Sequence, residues 1–104
     1  MSDQTEVPVA WKVGAILNSS TIEIVSDVGY CVGEPRPRFG KIAITRRGNN
    51  VYIKPFVINA PPETGPCRGV GYFEKRKIDL GEDVRGLQLY DVTTEPPTLR
   101  WPRG

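Results

Sequence analysis

At 104 residues and 11.6 kDa, the chain is long enough for one buried core and too short for two. A hydrophobic share of 38%, with 11 Gly and 10 Pro, implies many turns around a thin core, short of the composition of a disordered segment. Two cysteines and no histidine exclude an ordinary zinc site, and a net charge of +2 gives no strong field for steering a ligand.

No window carries the i, i+3, i+4, i+7 apolar spacing of a helix, whereas period-2 alternation with β-branched residues recurs. Met1 to Ala10 lacks the basic and apolar regions of a signal peptide, and no run approaches the length of a membrane helix, so no membrane insertion is expected. Trp11, Val13 and Ala15 alternate with Lys12 and Gly14, and Ile22, Ile24 and Ser26 alternate with Thr21, Glu23 and Val25. Asn18-Ser19-Ser20 reads as the turn between them, which completes a first hairpin. The same triplet fits a glycosylation sequon, but turn chemistry accounts for it.

The strongest local signal is Lys41 to Lys54, two strands around Gly48-Asn49. A two-residue loop beginning with Gly suits a type II′ turn, and it sets Ile44 opposite Ile53 on one face and Thr45 opposite Tyr52 on the other. Pro55 ends that ladder or marks an edge or bulge before Phe56, Val57 and Ile58. Ala60 to Pro66 is a breaker-rich connection leading into Cys67. Val70 to Leu80 reads as a long strand with a charged middle, Gly81-Glu82-Asp83 as a turn, and Leu87 to Val92 as a last strand. Residues 1–8 and 94–104 read as extended tails, the latter kept from helix by Pro96, Pro97 and Pro102. Six or seven strands at this spacing predict a single all-β domain, a small antiparallel sandwich of immunoglobulin-like architecture.

Cys31 and Cys67 are too far apart for a redox motif, which leaves a disulfide or two buried thiols; the disulfide is the expectation. It would close a loop of about 36 residues and stabilise the fold by about 3 to 4 kcal/mol in the chain-entropy model.

Gly29-Tyr30-Cys31, the Ile42 to Ile58 hairpin, Cys67 after a Pro-rich loop, and the run from Ile78 to Asp91 form a layout over residues 20–92. In this layout the chain resembles a group of uncharacterised exported bacterial domains, frequent among actinobacterial lipoproteins and small secreted proteins. Asp79 stands where that layout often has Pro. The resemblance implies an extracellular or envelope location, a Cys31–Cys67 disulfide and a β-sandwich, and it carries no activity and no binding residue.

Nucleophilic catalysis needs a base beside the nucleophile, and without His only a Ser-Lys pairing built on Ser19, Ser20 or Ser26 is formally open. Glu82 and Asp83 are adjacent in a turn, where acids are exposed and not set against each other in a cleft. Gly69-Val70-Gly71 lacks the third Gly, the Lys and the helix of a phosphate loop, and reads as a strand feature, a bulge. No cofactor, metal or enzymatic activity is expected.

Charge divides unevenly along the chain. Residues 1–35 hold five acids against one base, and residues 36–104 hold thirteen bases against seven acids. Arg36, Arg38, Arg46, Arg47 and Arg68, with Lys75, Arg76 and Lys77, could line a basic groove with Tyr52, Tyr72 and Phe73 as stacking platforms, as in a small barrel that binds single-stranded nucleic acid. The low net charge and interleaved acids disfavour nucleic acid as the partner. The favoured reading is a non-enzymatic extracellular or envelope module that binds a protein or envelope component through its loops or a sheet edge. Arg36, Arg38, Arg46, Arg47, Glu63 and Arg68 are the candidate contacts. A secreted protease inhibitor presenting its Pro-rich loop is the alternative.

Overall fold

The computed structural model describes residues 6–33, 36–58 and 69–102, with only the strand path at 30, 31, 69 and 70. Ten strands follow in chain order: β1 (Val7–Pro8), β2 (Lys12–Ile16), β3 (Thr21–Asp27), β4 (Tyr30–Cys31), β5 (Arg38–Arg47), β6 (Asn50–Ile58), β7 (Gly69–Val70), β8 (Phe73–Asp79), β9 (Gln88–Asp91) and β10 (Thr98–Trp101). The described residues contain no α-helix, and one 3₁₀ turn, Val84–Gly86, precedes β9.

The first hairpin forms as the alternation predicts. β2 pairs antiparallel with β3, Val13 opposite Ile24, and Asn18 Oδ1 accepts from the Ser20 N–H at 2.9 Å to shape the turn. The second hairpin has the predicted register, Ile44 opposite Ile53 and Thr45 opposite Tyr52. Gly48 turns with φ of +59°, a left-handed value that a side chain resists, and Arg46 Nε donates to its carbonyl at 2.8 Å. Pro55 does not end the ladder. It lies opposite Ile42, next to a register shift between Phe39 and Ile42 that moves the irregularity to the partner strand, and β6 runs on to Ile58. Gly40 stands at this shift with Glu6 folded over it, close enough that a Cβ would meet Glu6 Oε1 at 2.5 Å.

The five-stranded sheet A holds β5 along one side of β6 and both β9 and β1 along the other, with β10 outside β9. The three-stranded sheet B is β2-β3-β8. The predicted long strand from Val70 is divided into β7 and β8, yet its register is continuous: Thr21 faces Asp79, Asp27 faces Phe73 and Tyr30 faces Val70. Gly71 is therefore not a bulge. At the division the Val28 and Gly29 N–H groups both donate to the Tyr72 carbonyl, at 2.9 and 3.3 Å.

Two pairings depart from the antiparallel expectation or extend it. β6 and β9 run parallel, Tyr52 opposite Tyr90, because the chain crosses from sheet B to sheet A through the 3₁₀ turn and re-enters at the tip of the second hairpin, where the Gln88 N–H donates to the Asn49 carbonyl at 2.8 Å. Within the segment read as a C-terminal tail, residues 98–101 form β10 on β9, with Trp101 Nε1 donating to the Val84 carbonyl at 3.1 Å. Edges are blunted throughout: β2, β5 and β10 each carry a register shift, and the regular β8 presents Glu74, Lys75, Arg76 and Lys77.

Both sheets contribute to one core. Sheet A supplies Phe39, Val51, Ile53, Val57 and Leu89, and sheet B supplies Val13, Ile22, Ile24 and Ile78. Trp11 lies between the sheets where the chain passes from β1 to β2, its indole Nε1 donating to the Ile53 carbonyl at 3.0 Å. Beside it is a fully buried carboxylate. Asp91 Oδ2 accepts from the Trp11 N–H (3.3 Å) and Arg100 Nη2 (3.1 Å), and Oδ1 accepts from the Thr93 N–H (2.9 Å) and hydroxyl (2.6 Å).

No disulfide is seen among the described residues, and Cys67 lies outside them. No described helix is long and apolar enough to cross a membrane.

Candidate functional site

Alternation along β6 turns Val51, Ile53, Pro55 and Val57 inward and leaves Asn50, Tyr52, Lys54 and Phe56 half-exposed on the outer face of sheet A. Residues opposite these in the ladders share that face: Thr45 and Ala43 on β5, Tyr90 on β9, and beyond it Leu99 on β10. The Tyr52 and Tyr90 rings stack, centroids 5.4 Å apart and planes 22° apart. Lys54 Nζ lies 5.8 Å from the centre of the Phe56 ring. Arg47, opposite Asn50, and Arg38, opposite Ile58, place exposed guanidinium groups towards the two ends of the same face. Lys41 is exposed in the irregular stretch of β5 between them. Glu6 reaches this row and accepts from the Lys41 N–H at 3.0 Å. The face thus joins rings on the central strands to cations on β5 and β6.

The arginines proposed from sequence do not form one loop cluster. Arg36 lies over the Tyr72 ring, 5.6 Å from its centre, away from the hairpin tip. Arg46 is held by Glu82 at the other end of β5, with Nη1 2.6 Å from Oε2. Nine residue steps separate Arg38 from Arg47, roughly 30 Å of strand. Glu63, Arg68 and the Ala60 to Pro66 loop lie outside the described residues. The three proposed stacking rings separate as well: Tyr52 is on sheet A, Tyr72 at the β7–β8 junction, and Phe73 on the outer face of sheet B, opposite Asp27. Tyr52, Lys54 and Phe56 share a face by alternation and could be found from sequence. Tyr90 could not, because only the parallel β6/β9 pairing brings it there.

A second feature is an open cleft of about 430 Å³ where the β1–β2 crossing passes between β10 and sheet B. Lys12, Asp27 and Arg100 supply its charges, and Val25 and Phe73 supply apolar surface. Trp11 also borders it, but its indole is committed to Ile53, and the Arg100 guanidinium is committed to Asp91.

Among the remaining polar candidates, Glu82, Asp83 and Ser20 are engaged structurally. Hydrogen bonds from Arg46 hold the Glu82 carboxyl below its ordinary range, and hydrogen bonds from the Arg85 side chain and N–H hold Asp83 down to about 2. Asp83 caps the 3₁₀ turn through that N–H. Ser20 Oγ donates to Asn18 Oδ1, and Ser26 Oγ is buried without a hydrogen-bond partner, so neither hydroxyl is paired with a Lys among the described residues. No group of three or more Cys, Asp or Glu among the described residues is placed to hold a metal ion.

No known protein family, no curated protein and no solved structure matches the chain.

Proposed function

We propose that the protein is a non-enzymatic binding module: a two-sheet sandwich, immunoglobulin-like in its layering, that recognises a polyanionic macromolecule on the outer face of sheet A. The observation that carries this reading is the gathering of Arg38, Lys41, Arg47 and Lys54 with stacked tyrosines on one open face. The charge asymmetry of the sequence supports it, since these four cations all come from the basic part of the chain. A rigid sheet suits such work better than loops, because its side chains are held at fixed spacing before the ligand arrives.

Retention on heparin-agarose tests the face. Arg47→Glu with Lys54→Glu is expected to elute at clearly lower salt than the wild-type protein. Lys75→Glu with Lys77→Glu, which makes the same charge change on the outer face of sheet B, is expected to elute later than the first pair. Equal elution of the two double variants would mean that net charge alone governs retention, and the proposal would fail.

The disulfide and export belong to the same reading. Cys31 stands opposite Gly69 in the β4/β7 ladder, and Cys67 is two residues from Gly69 along the chain. The β4/β7 pairing brings the chain on either side of the second hairpin together, which puts the two cysteines in one neighbourhood; because a continued ladder would set position 67 opposite Gly33, a bridge requires the chain before Gly69 to leave that register. Thiol titration of the folded, air-oxidised protein is expected to find no reactive thiol before or after unfolding; two thiols would remove the bridge and the main support for export.

A further inference from the structure

We infer that the polyanion is single-stranded nucleic acid, an inference that rests on the outer face of sheet A being the binding surface. Proteins that hold single strands combine cations that follow the phosphate backbone with aromatic rings on which bases stack. Both parts are present in the right places. Tyr52 and Tyr90 stack on adjacent central strands, flanked by Thr45 and Leu99, and both rings are half-exposed, which leaves aromatic surface for a base to pack against. Arg38 and Arg47 lie towards opposite ends of β5, roughly 30 Å apart, with Lys54 on β6 between them. This is a track for a backbone beside a platform for bases.

Duplex fits this surface poorly. Its bases are hidden within the stack, and its grooves are read by an inserted helix, ribbon or arm. The face offers no helix among the described residues, and its hairpin tip is tied to β9 through Asn49 and Gln88. A general acidic polymer would satisfy the arginines and Lys54 but would make no use of the half-exposed tyrosine rings beyond their pairing across the strands.

Fluorescence anisotropy of a labelled 15-nucleotide oligothymidylate against the intact protein, from 50 to 300 mM salt, tests the inference beside a duplex of equal length and heparin. The oligonucleotide is expected to bind more tightly than the duplex, with log K falling against log salt at a slope of about −2 for three phosphate contacts. Arg47→Gln should weaken binding about five- to tenfold at 50 mM salt and make the slope shallower by about 0.7. Tyr52→Ala should weaken it at least fivefold with the slope unchanged, and Tyr52→Phe, which keeps a ring, should restore it. If heparin binds and the oligonucleotide does not, or if Tyr52→Ala is without effect on oligonucleotide binding while Arg47→Gln weakens it, bases are not read by the rings, the inference falls and the polyanion-binding face stands. Tighter binding to duplex also overturns the inference. If neither polymer binds at 50 mM salt, both the inference and the proposed function fall.

Discussion

Replacing Asp91 with Ala is expected to cost about 3–5 kcal/mol of folding stability, measured by urea unfolding. Total stabilities of domains this size are about 5–15 kcal/mol, so the variant would be marginal at 25 °C. The carboxylate is fully buried, and its two oxygens accept from Trp11, Arg100 and twice from Thr93, joining the β1–β2 crossing, β10 and the turn after β9. Removing it leaves the Arg100 guanidinium without its counter-charge and buried N–H donors without an acceptor. The Arg100 side chain is 29% exposed and can recruit some water, which places the effect towards the lower end of the range. Arg100→Gln should cost less, about 1–2 kcal/mol, because three neutral donors stay on the carboxylate. A loss below 1 kcal/mol for Asp91→Ala would show that the network does not organise the fold.

Trp11→Ala is the second large effect, also expected at about 3–5 kcal/mol, from the buried ring surface and the cavity it leaves. Trp11 is 2% exposed and fills the space where the chain changes sheets. Trp11→Phe separates packing from polarity. It keeps most of the ring volume but removes the indole donor to the Ile53 carbonyl, which retains a longer contact of 3.4 Å from the Val92 N–H. About 1–2 kcal/mol is expected for that change. Trp11→Ala keeps the backbone N–H that donates to Asp91, but loss of the ring loosens the crossing that presents it, so the Asp91→Ala and Trp11→Ala effects should not add fully. A double variant whose loss equals the sum of the single losses would show that the two sites act independently.

Local pairing was readable because its causes are local. Alternating β-branched residues set which side chains face inward, and Asn18 to Ser20 and Gly48-Asn49 supply turn chemistry, so both hairpins and the Ile44/Ile53 register follow from neighbouring residues. The Tyr52, Lys54 and Phe56 row on the outer face is part of the same pattern. Asp91 gave no such signal. An acid at the end of a hydrophobic strand looks like the start of an exposed turn, and its burial depends on Trp11, Thr93 and Arg100 converging from distant and nearby parts of the chain.

By itself, the sequence determined an all-β domain with two defined hairpins, the turn glycine at position 48, and a basic segment that begins after residue 35. The tertiary structure decided which strands became neighbours across long stretches of chain. It set β9 parallel to β6, added β10 outside it, and by doing so brought Tyr90 against Tyr52 and enclosed Asp91. The physical reason is the range of the forces involved. A hairpin register is set by the turn and the residues beside it. The choice of a partner strand about forty residues away depends on which arrangement buries the most apolar surface while satisfying the backbone at the crossing, and no short stretch of residues contains that information.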